Sequence, residues 1–118
     1  FRQIDSGHIM ENIIYNELLI RGYSVDIGVV VDRRKGSYSQ KEIDFVVNKG
    51  DKRVYIQSAW QMNTTEKITA ELDSLKLAKD FFSKIIIQND IPSHFTDDDG
   101  IIHCNLIEFL LNPQLILL

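Results

Sequence analysis

Asp44 and Gln57 are the first candidates for chemistry in this 118-residue chain, because they lie on two segments that are predicted to form a β-hairpin. Residues 42–47 and 53–60 are rich in strand formers and flank a polar turn that contains glycine. We expect the apolar face of the hairpin to meet the core, so that alternation along each strand directs Asp44 and Gln57 out together. That apolar face consists of Ile43, Phe45, Val54 and Ile56. The simpler alternative is a pair of solvated residues on an exposed sheet face, which is usual in antiparallel pairs.

Glu11 is the next candidate, because it borders the apolar stripe of a predicted helix. Apolar residues recur there at helical spacing, and at ~100° per residue Glu11 falls about 20° from Leu18. A carboxylate in that position is either a rim residue in water or a partly buried acid whose pKa is perturbed. The spacing leaves both interpretations open.

No other residue pattern in the sequence indicates a familiar catalytic or metal centre. His103 and Cys104 are adjacent on a predicted strand, so their side chains should point to opposite faces, which disfavours a shared zinc ion. Residues 97–100 are expected to form a turn, since they lack the spacing of a calcium-binding loop. Trp60 is interpreted as a core or interface residue in preference to a stacking platform for a base. The sequence contains neither a phosphate-binding glycine loop nor a nucleophile elbow.

The elements that must position these residues follow from periodicity and turn signals. They are a helix from about Gly7 to Arg21, strands at 23–31, 42–47 and 53–60, a helix that starts after Asn63 and ends before Phe81, strands at 85–87 and 101–105, and a last helical turn or two at 106–111. The predicted order is therefore α-β-β-β-α-β-β-α. A crossover helix between the third and fourth strands predicts an α/β fold with a mixed sheet flanked by helices.

The ends of the two longer helices also carry capping signals. Asp5 and Ser6 can cap the first helix, and Gly22 suits the position just after its end. Asn63 is followed three residues later by Glu66, which is typical of a capping box at the start of the second helix.

Length and composition restrict the class of protein. A chain of 118 residues with 44% apolar and 25% charged residues suits one globular domain. The net charge of −4 gives no general attraction to nucleic acid or to an anionic membrane. A single cysteine excludes a disulfide scaffold, and no apolar stretch approaches the ~20 residues of a membrane helix. These features predict a cytoplasmic protein, and Phe1 in place of an initiator Met predicts a fragment of a longer one.

Four motifs in a fixed order carry a family resemblance. They are Gly7-x-x-x-Glu11-Asn12, Leu18-x-x-Arg21-Gly22-Tyr23-x-Val25, Lys41-Glu42-Ile43-Asp44-Phe45-Val46 and Tyr55-Ile56-Gln57-Ser58-Ala59. Together they resemble the C-terminal domain, usually described as a domain of unknown function, that follows the nucleotide-binding module of prokaryotic AAA-type ATPases. The resemblance covers nearly the whole chain, so residues 1–118 are interpreted as a single domain from the C-terminal part of a larger ATPase. It implies that ATP binds only to the N-terminal module, which would be a partner of this domain.

That family is similar in turn to the PD-(D/E)XK nuclease fold, in which a helix acid, a hairpin acid and a Glu-x-Lys on the next strand form a metal-dependent phosphodiesterase site. The resemblance places Glu11 and Asp44 at the two acids, as metal ligands for Mg²⁺ or Mn²⁺. It places Gln57 and Ala59 at the Glu and Lys positions, so the implied catalytic set is Glu11, Asp44 and Gln57. Gln57 is a neutral ligand and Ala59 has no charge, and loss of one such group typically lowers a rate about 10²–10⁴-fold. Lys67 is the nearest candidate for a displaced lysine.

Three functions are consistent with the sequence. The first is a nuclease-like module of an ATPase that is catalytically impaired and acts by binding or regulation. The second is a weak metal-dependent nuclease. The third is an oligomerisation or interaction domain whose apolar C-terminus, Leu106 to Leu118, packs on another chain. The resemblance leaves DNA binding open, although the net charge gives it no support.

Overall fold

The computed structural model describes residues 5–34 and 36–116, with side chains as far as Gln114. The elements are α1 (Ser6–Ile20), β1 (Ser24–Asp32), β2 (Ser39–Lys49), β3 (Lys52–Ala59), α2 (Thr65–Leu77), β4 (Ser83–Gln88), β5 (Phe95–Thr96), β6 (Ile102–Asn105), α3 (Leu106–Leu111) and a 3₁₀ turn at Pro113–Ile116. Within this part of the chain, every helix is too short or too polar to cross a membrane.

The six strands form one mixed sheet in the order β1-β2-β3-β4-β6-β5. Strands β1, β2 and β3 are antiparallel neighbours, whereas β4 runs parallel to β3 and to β6. A parallel neighbour requires a crossover connection, which α2 supplies between β3 and β4. The predicted α/β class with helices flanking a mixed sheet is therefore confirmed.

The predicted order α-β-β-β-α-β-β-α was wrong in one element, because it omits β5. This strand has two residues and pairs antiparallel with β6, and two residues are too few to show any periodicity. The predicted turn at residues 97–100 is the connection between these two strands. The N–H of Gly100 donates to the carbonyl oxygen of Asp97 over 3.0 Å, and Gly100 has a φ of 80°.

Both ends of α1 are capped as the residue types predict. Asp5 is the N-cap, and its side chain accepts from the N–H of His8 over 3.2 Å. Gly22 follows the helix with a φ of 86°, and its N–H donates to the carbonyl oxygen of Leu19. The N–H of Tyr23 donates to the carbonyl oxygen of Leu18, which completes a Schellman motif and turns the chain into β1.

The start of α2 lies one residue beyond the predicted cap. Thr64 is the N-cap, with extended backbone and a side chain that accepts from the N–H of Lys67 over 3.2 Å. The prediction of Asn63 as the cap was wrong, because Asn and Thr are both favoured there and spacing alone did not separate two adjacent candidates.

Apolar side chains form a core on each face of the sheet. The α1-side core includes Met10, Ile14, Leu18, Phe45, Ile56, Ile85, Ile87 and Phe109. The α2-side core includes Ile43, Tyr55, Ala59, Met62, Leu72, Leu75, Ile86 and Ile101. Because β3 and β4 are covered on both faces, they are buried almost throughout.

A β-bulge interrupts β2 between Ile43 and Val46. Gly28 pairs with Ile43 and Asp26 with Val46, so two residues of β2 lie opposite one residue of β1. The extra residue reverses the alternation, and Ile43 lies in the α2-side core whereas Phe45 lies in the α1-side core. The prediction that these two side chains share a face was therefore wrong.

Gly28 permits the close approach of the two strands at the bulge. A Cβ atom at this position would lie 2.6 Å from Cγ2 of Val46 and 3.2 Å from Cβ of Ile43, so any larger residue would push the strands apart.

Candidate functional site

The bulge brings Asp44 and Gln57 together through hydrogen bonds between side chain and backbone. The N–H of Asp44 donates to Oε1 of Gln57 over 2.7 Å, and the N–H of Ser58 donates to Oδ2 of Asp44 over 2.9 Å. These bonds replace the backbone ladder, whose regular pairing between β2 and β3 ends at Phe45 and Ile56. The two residues are thus neighbours, but the contact joins the amide of Gln57 to the backbone of Asp44, and convergence of the two side-chain oxygens stays a prediction.

The amide of Gln57 is buried and fully engaged. Gln57 is only 4% exposed and lies on the face of β3 that carries Tyr55 and Ala59. Its Nε2 donates to the backbone carbonyl oxygen of Glu71 over 3.4 Å, while its Oε1 accepts from Asp44. The alternative of two solvated residues was therefore wrong, since Gln57 is buried and Asp44 is half-buried.

Glu11 and Asp44 line the same cavity, which has a volume of about 660 Å³ and lies between α1 and strands β1 and β2. We call it the acidic pocket, and its polar wall includes His8, Glu11, Tyr15, Asp26, Glu42 and Asp44. Glu11 is half-buried, which was one of the two positions that its place beside the apolar stripe of α1 left open. The structure therefore brings together the two acids that the resemblance named.

Burial raises the pKa of the Asp44 carboxyl group above its usual value. The N–H of Ser58 opposes this shift because it stabilises the carboxylate, whereas the charges of Glu11 and Glu42 add to it. A neighbouring cation would lower the pKa, and no cation contributes to the shift of Asp44 among the residues of the structure.

Glu71 on α2 is a third acid of this site, and sequence reasoning missed it. Burial raises its pKa, and the charges of Asp44 and Glu11 raise it further, so Glu71 is close enough to both acids to be affected by them. A signal was present in the sequence, because Glu71 lies three residues after Ile68 and four before Leu75, within the apolar stripe of α2. We call Glu11, Asp44 and Glu71 the acidic triad.

The position of the motif lysine supplies no cation to the acidic triad. Ala59 is 4% exposed and packs in the α2-side core beside Met62 and Leu72. Lys67 is exposed in the first turn of α2, and the ion pairs found between described residues do not include it. A role for Lys67 as a displaced lysine stays a prediction.

No ready metal centre is present in residues 5–34 and 36–116, since no group of three or more His, Cys, Asp or Glu side chains is arranged to hold an ion. One oxygen of Asp44 already accepts from Ser58, and Gln57 offers only an amide oxygen that is itself occupied. The carboxylates of Glu11 and Asp44 are hard oxygen donors of the type that Mg²⁺ prefers, but the surrounding donor set is incomplete.

The remaining polar candidates have structural partners. The ring of His103 is buried between Oε1 of Gln88 at 2.7 Å and Oδ2 of Asp97 at 2.8 Å. Cys104 lies in the α1-side core, on the other face of β6, where burial raises its pKa to about 11. Trp60 is 38% exposed at the end of β3 and belongs to neither core.

Comparison with known proteins shows a family but no activity. The family model described as "Domain of unknown function (DUF4143)" matches residues 6–107. An "Uncharacterized protein" of Haemophilus influenzae is 37% identical over 102 residues, which are 86% of this chain and 22% of that protein. The chain therefore spans about a fifth of the length of the curated relative that it matches.

Proposed function

Since the chain belongs to the family described as "Domain of unknown function (DUF4143)", we propose that it is a PD-(D/E)XK nuclease-like domain whose catalytic chemistry is impaired. In this proposal it serves as a binding or regulatory module in the C-terminal part of a longer cytoplasmic ATP-binding protein. The observation that carries the proposal is the combination of an acidic triad with a neutral, fully engaged Gln57 and a buried Ala59.

The architecture supports a nuclease-like core. A helix, an antiparallel three-stranded unit, a crossover helix and a parallel fourth strand follow one another along the chain. This arrangement places an acid of the first helix beside an acid of the second strand, which are Glu11 and Asp44. Asp44 lies in a β-bulge, and β-bulges are over-represented next to active sites.

The loss of catalytic groups supports the impairment. A nuclease site of this type uses a lysine to position the attacking water and to offset developing charge, and Ala59 provides neither function. A longer side chain at Ala59 would enter the α2-side core, so the strand offers little room for a cation there. A divalent cation would meet two adjoining carboxylates and an occupied amide, and the proposal therefore includes no metal-dependent step.

The expectation of a longer ATP-binding protein is supported by the four resemblance motifs and by the greater length of the Haemophilus influenzae relative. ATP would bind the N-terminal module, and this domain would contact that module or a partner of it.

The test is a calorimetric titration of Mn²⁺ and of Mg²⁺ into the chain, combined with a nuclease assay on single-stranded and double-stranded DNA. Asp44→Asn removes the charge while it keeps an acceptor for Ser58, and Asp51→Asn in the exposed β2–β3 turn is the matched control. We expect no saturable one-to-one binding and no cleavage by any of the three proteins. Saturable binding together with Mn²⁺-dependent cleavage, both lost only in Asp44→Asn, would overturn the proposed impairment.

That contrary result would establish the second candidate function, a weak Mg²⁺- or Mn²⁺-dependent nuclease that uses Glu11, Asp44 and Gln57. The specific observation in its favour is Glu71, whose carboxyl group interacts with the charges of Glu11 and Asp44. The three carboxylates are not arranged as an ion site in the described residues, so this candidate requires a bound cation to draw them together. Loss of the binding in Glu71→Gln would assign the third ligand position to this residue.

The assembly function predicted for Leu106 to Leu118 depends on fewer observations. Leu106 and Phe109 lie in the α1-side core, whereas Ile107 and Leu111 are 58% and 73% exposed. The side chains of residues 115–118 lie outside the described residues. Sedimentation of the chain before and after truncation at Asn112 tests this candidate. If the number of chains per particle does not change, the tail is not an interface.

A further inference from the structure

Cations and aromatic rings gather where β3 and β4 begin, away from the acidic pocket. We call this surface the basic–aromatic end, and it consists of Lys52, Arg53, Lys79, Phe81, Phe82 and Lys84. With Lys76, the two cavities at this end are lined by five cations and by three acids, Asp51, Asp80 and Asp99, so this surface has a net charge of +2 in a chain whose net charge is −4.

Phe81 is a completely exposed aromatic side chain in the connection between α2 and β4. No aromatic ring or cation is found in contact with the Phe81 ring among the described residues, whereas the neighbouring Phe82 ring has one contact of each kind. Phe82 meets the edge of Tyr55 with 6.2 Å between ring centroids, and Arg53 lies over its face at 5.5 Å. Phe81 therefore contributes nothing visible to the packing of this domain.

A cavity of about 190 Å³ lies beside Phe81 and is lined by Phe82, Tyr23 and Val54 together with Lys52 and Arg53. An apolar cavity of about 150 Å³ is large enough to hold a benzene ring. The cavity therefore has room for one aromatic or leucine side chain from outside, with the ring of Phe81 as one wall.

Two cations near Phe81 have no internal partner within the described part of the chain: Lys52 lines the cavity described above, and Lys79 lines a second cavity that Phe81 also borders. No hydrogen bond or ion pair to the amine of Lys52 or Lys79 is found between described residues, and both side chains are exposed. Lys84, in contrast, donates to the carbonyl oxygens of Asp80 and Phe82 over 3.1 and 3.2 Å. The two charges without a described partner thus lie in two cavities that meet at Phe81.

We infer that the basic–aromatic end binds an acidic peptide segment of a partner protein. One aromatic or leucine side chain of the segment occupies the cavity beside Phe81, and carboxylates on either side of it pair with Lys52 and Lys79. Aromatic anchors in pockets with charged surroundings dominate the binding energy of many peptide interfaces.

The interspersed acids favour a peptide over nucleic acid. Asp51 and Asp80 line the two cavities beside Phe81, so a phosphate backbone, with a charge about every 3.4 Å along a strand, would meet them. A peptide carries its carboxylates at separate positions and can avoid these two residues.

The test is fluorescence anisotropy of the chain with a fluorescein-labelled peptide of sequence Gly-Glu-Asp-Phe-Asp-Glu-Gly at low salt. We expect saturable binding that weakens about tenfold in Phe81→Ala and about threefold in Lys79→Ala. Phe81→Tyr should retain most of the affinity. The matched controls are Tyr38→Ala, an exposed ring on another loop, and Lys67→Ala, an exposed lysine at the other end of α2.

Three outcomes would overturn the inference. They are no binding of the peptide at millimolar concentration, equal binding of a peptide with Ala in place of its Phe, and equal loss in the control variants. If a twelve-nucleotide oligothymidine binds in a Phe81-dependent way and the peptide does not, the surface recognises nucleic acid. Circular dichroism checks that Phe81→Ala is folded, which its full exposure leads us to expect. The acidic pocket takes no part in this experiment, so its result is independent of the metal titration.

Discussion

The acidic triad and the basic–aromatic end carry opposite charges and differ in solvent exposure. Glu11, Asp44 and Glu71 are half-buried on helices and a strand, and burial and mutual repulsion raise the pKa values of Asp44 and Glu71. The cations Lys52 and Lys79 are exposed to solvent, where screening keeps the repulsion between their charges small. Secondary structure therefore keeps the acids together against their own electrostatics, which is a pattern typical of functional sites.

The largest effect is expected from Gln57→Glu, which would add a fourth carboxyl group to the acidic triad at a position only 4% exposed. We expect the free energy of unfolding at pH 7 to fall by about 3–5 kcal/mol, as for a buried charge without a partner. Urea denaturation measures this change in the free energy of unfolding. The matched control is Gln88→Glu, at an equally buried position whose neighbour His103 can offer a proton, and it should cost less.

A cost below about 1 kcal/mol for Gln57→Glu, the size of an exposed charge effect, would contradict the buried, cation-free description of the triad. Recovery of stability on addition of Mg²⁺ would show that a further carboxylate completes a cation site.

The next effect concerns Lys84, a cation of the basic–aromatic end that the fold uses through hydrogen bonds to the backbone. Its amine donates to two backbone carbonyl oxygens and lies 5.6 Å from the centroid of the Tyr55 ring. We expect Lys84→Ala to lower the free energy of unfolding by about 1.5–3 kcal/mol, as for hydrogen bonds to a charged group. Lys52→Ala is the control, with an expected change within about 0.5 kcal/mol. Equal costs in chemical denaturation would remove the distinction between structural and free cations.

Asp44→Asn is expected to stabilise the chain at pH 7, by up to about 1 kcal/mol, because it removes one of several like charges. Burial raises the pKa of Asp44, so its contribution to stability is greatest at acid pH and is lost as pH rises through the raised pKa. The difference between variant and parent in thermal melts should therefore grow from acid to neutral pH.

Asp97→Asn provides the control of opposite sign. Burial raises the pKa of Asp97, but bonds from His103 and from two backbone N–H groups outweigh burial and lower it overall. Its stabilisation is present above the usual carboxyl pKa and is lost as pH falls, so Asp97→Asn should destabilise most at neutral pH. Parallel pH profiles for the two variants would contradict this contrast.

The smallest effect on stability is expected from Phe81→Ala, because the ring is completely exposed. We expect a change within about 0.5 kcal/mol, whereas Phe82→Ala should cost more, since Phe82 packs on Tyr55. Thermal melts of both variants measure these changes in stability. A large cost for Phe81→Ala would mean that the ring serves the fold, and the peptide site would lose its main argument.

The class of the fold was predictable because its longer elements follow simple periodicity. Helix α1 has apolar residues at helical spacing with Asp5 and Gly22 at its ends, and the strands β2 and β3 flank a glycine turn. The two-residue β5 was not predictable, since only its pairing with β6 defines it as a strand. The N-cap of α2 lies one residue after the predicted position, because Asn63 and Thr64 have similar propensities for an N-cap.

Only part of the candidate site was predictable, because the bulge has no local signature. Alternation in residues 42–47 correctly indicates a strand, but the extra residue that separates Ile43 from Phe45 becomes visible only in the register with β1. Glu11 and Asp44 were candidates from periodicity, and the resemblance assigned both to one site, but their shared pocket becomes visible only in the structure. Glu71 lies on the apolar stripe of α2, where a carboxylate is a signal that periodicity could have identified.

The bulge also divides the hairpin into segments with unequal protection against amide hydrogen exchange. From Phe45 onward β2 is bonded through its backbone to both neighbours, whereas residues 39–43 have a backbone ladder only to β1. Residues 28–32 and 39–43 are held by the two side-chain bonds at Asp44, by the core contacts of Ile43 and by the ion pairs of Arg34 and Lys41 with Asp73 on α2. We expect the amides of these residues to exchange well before those of β4, which has a backbone partner on each side.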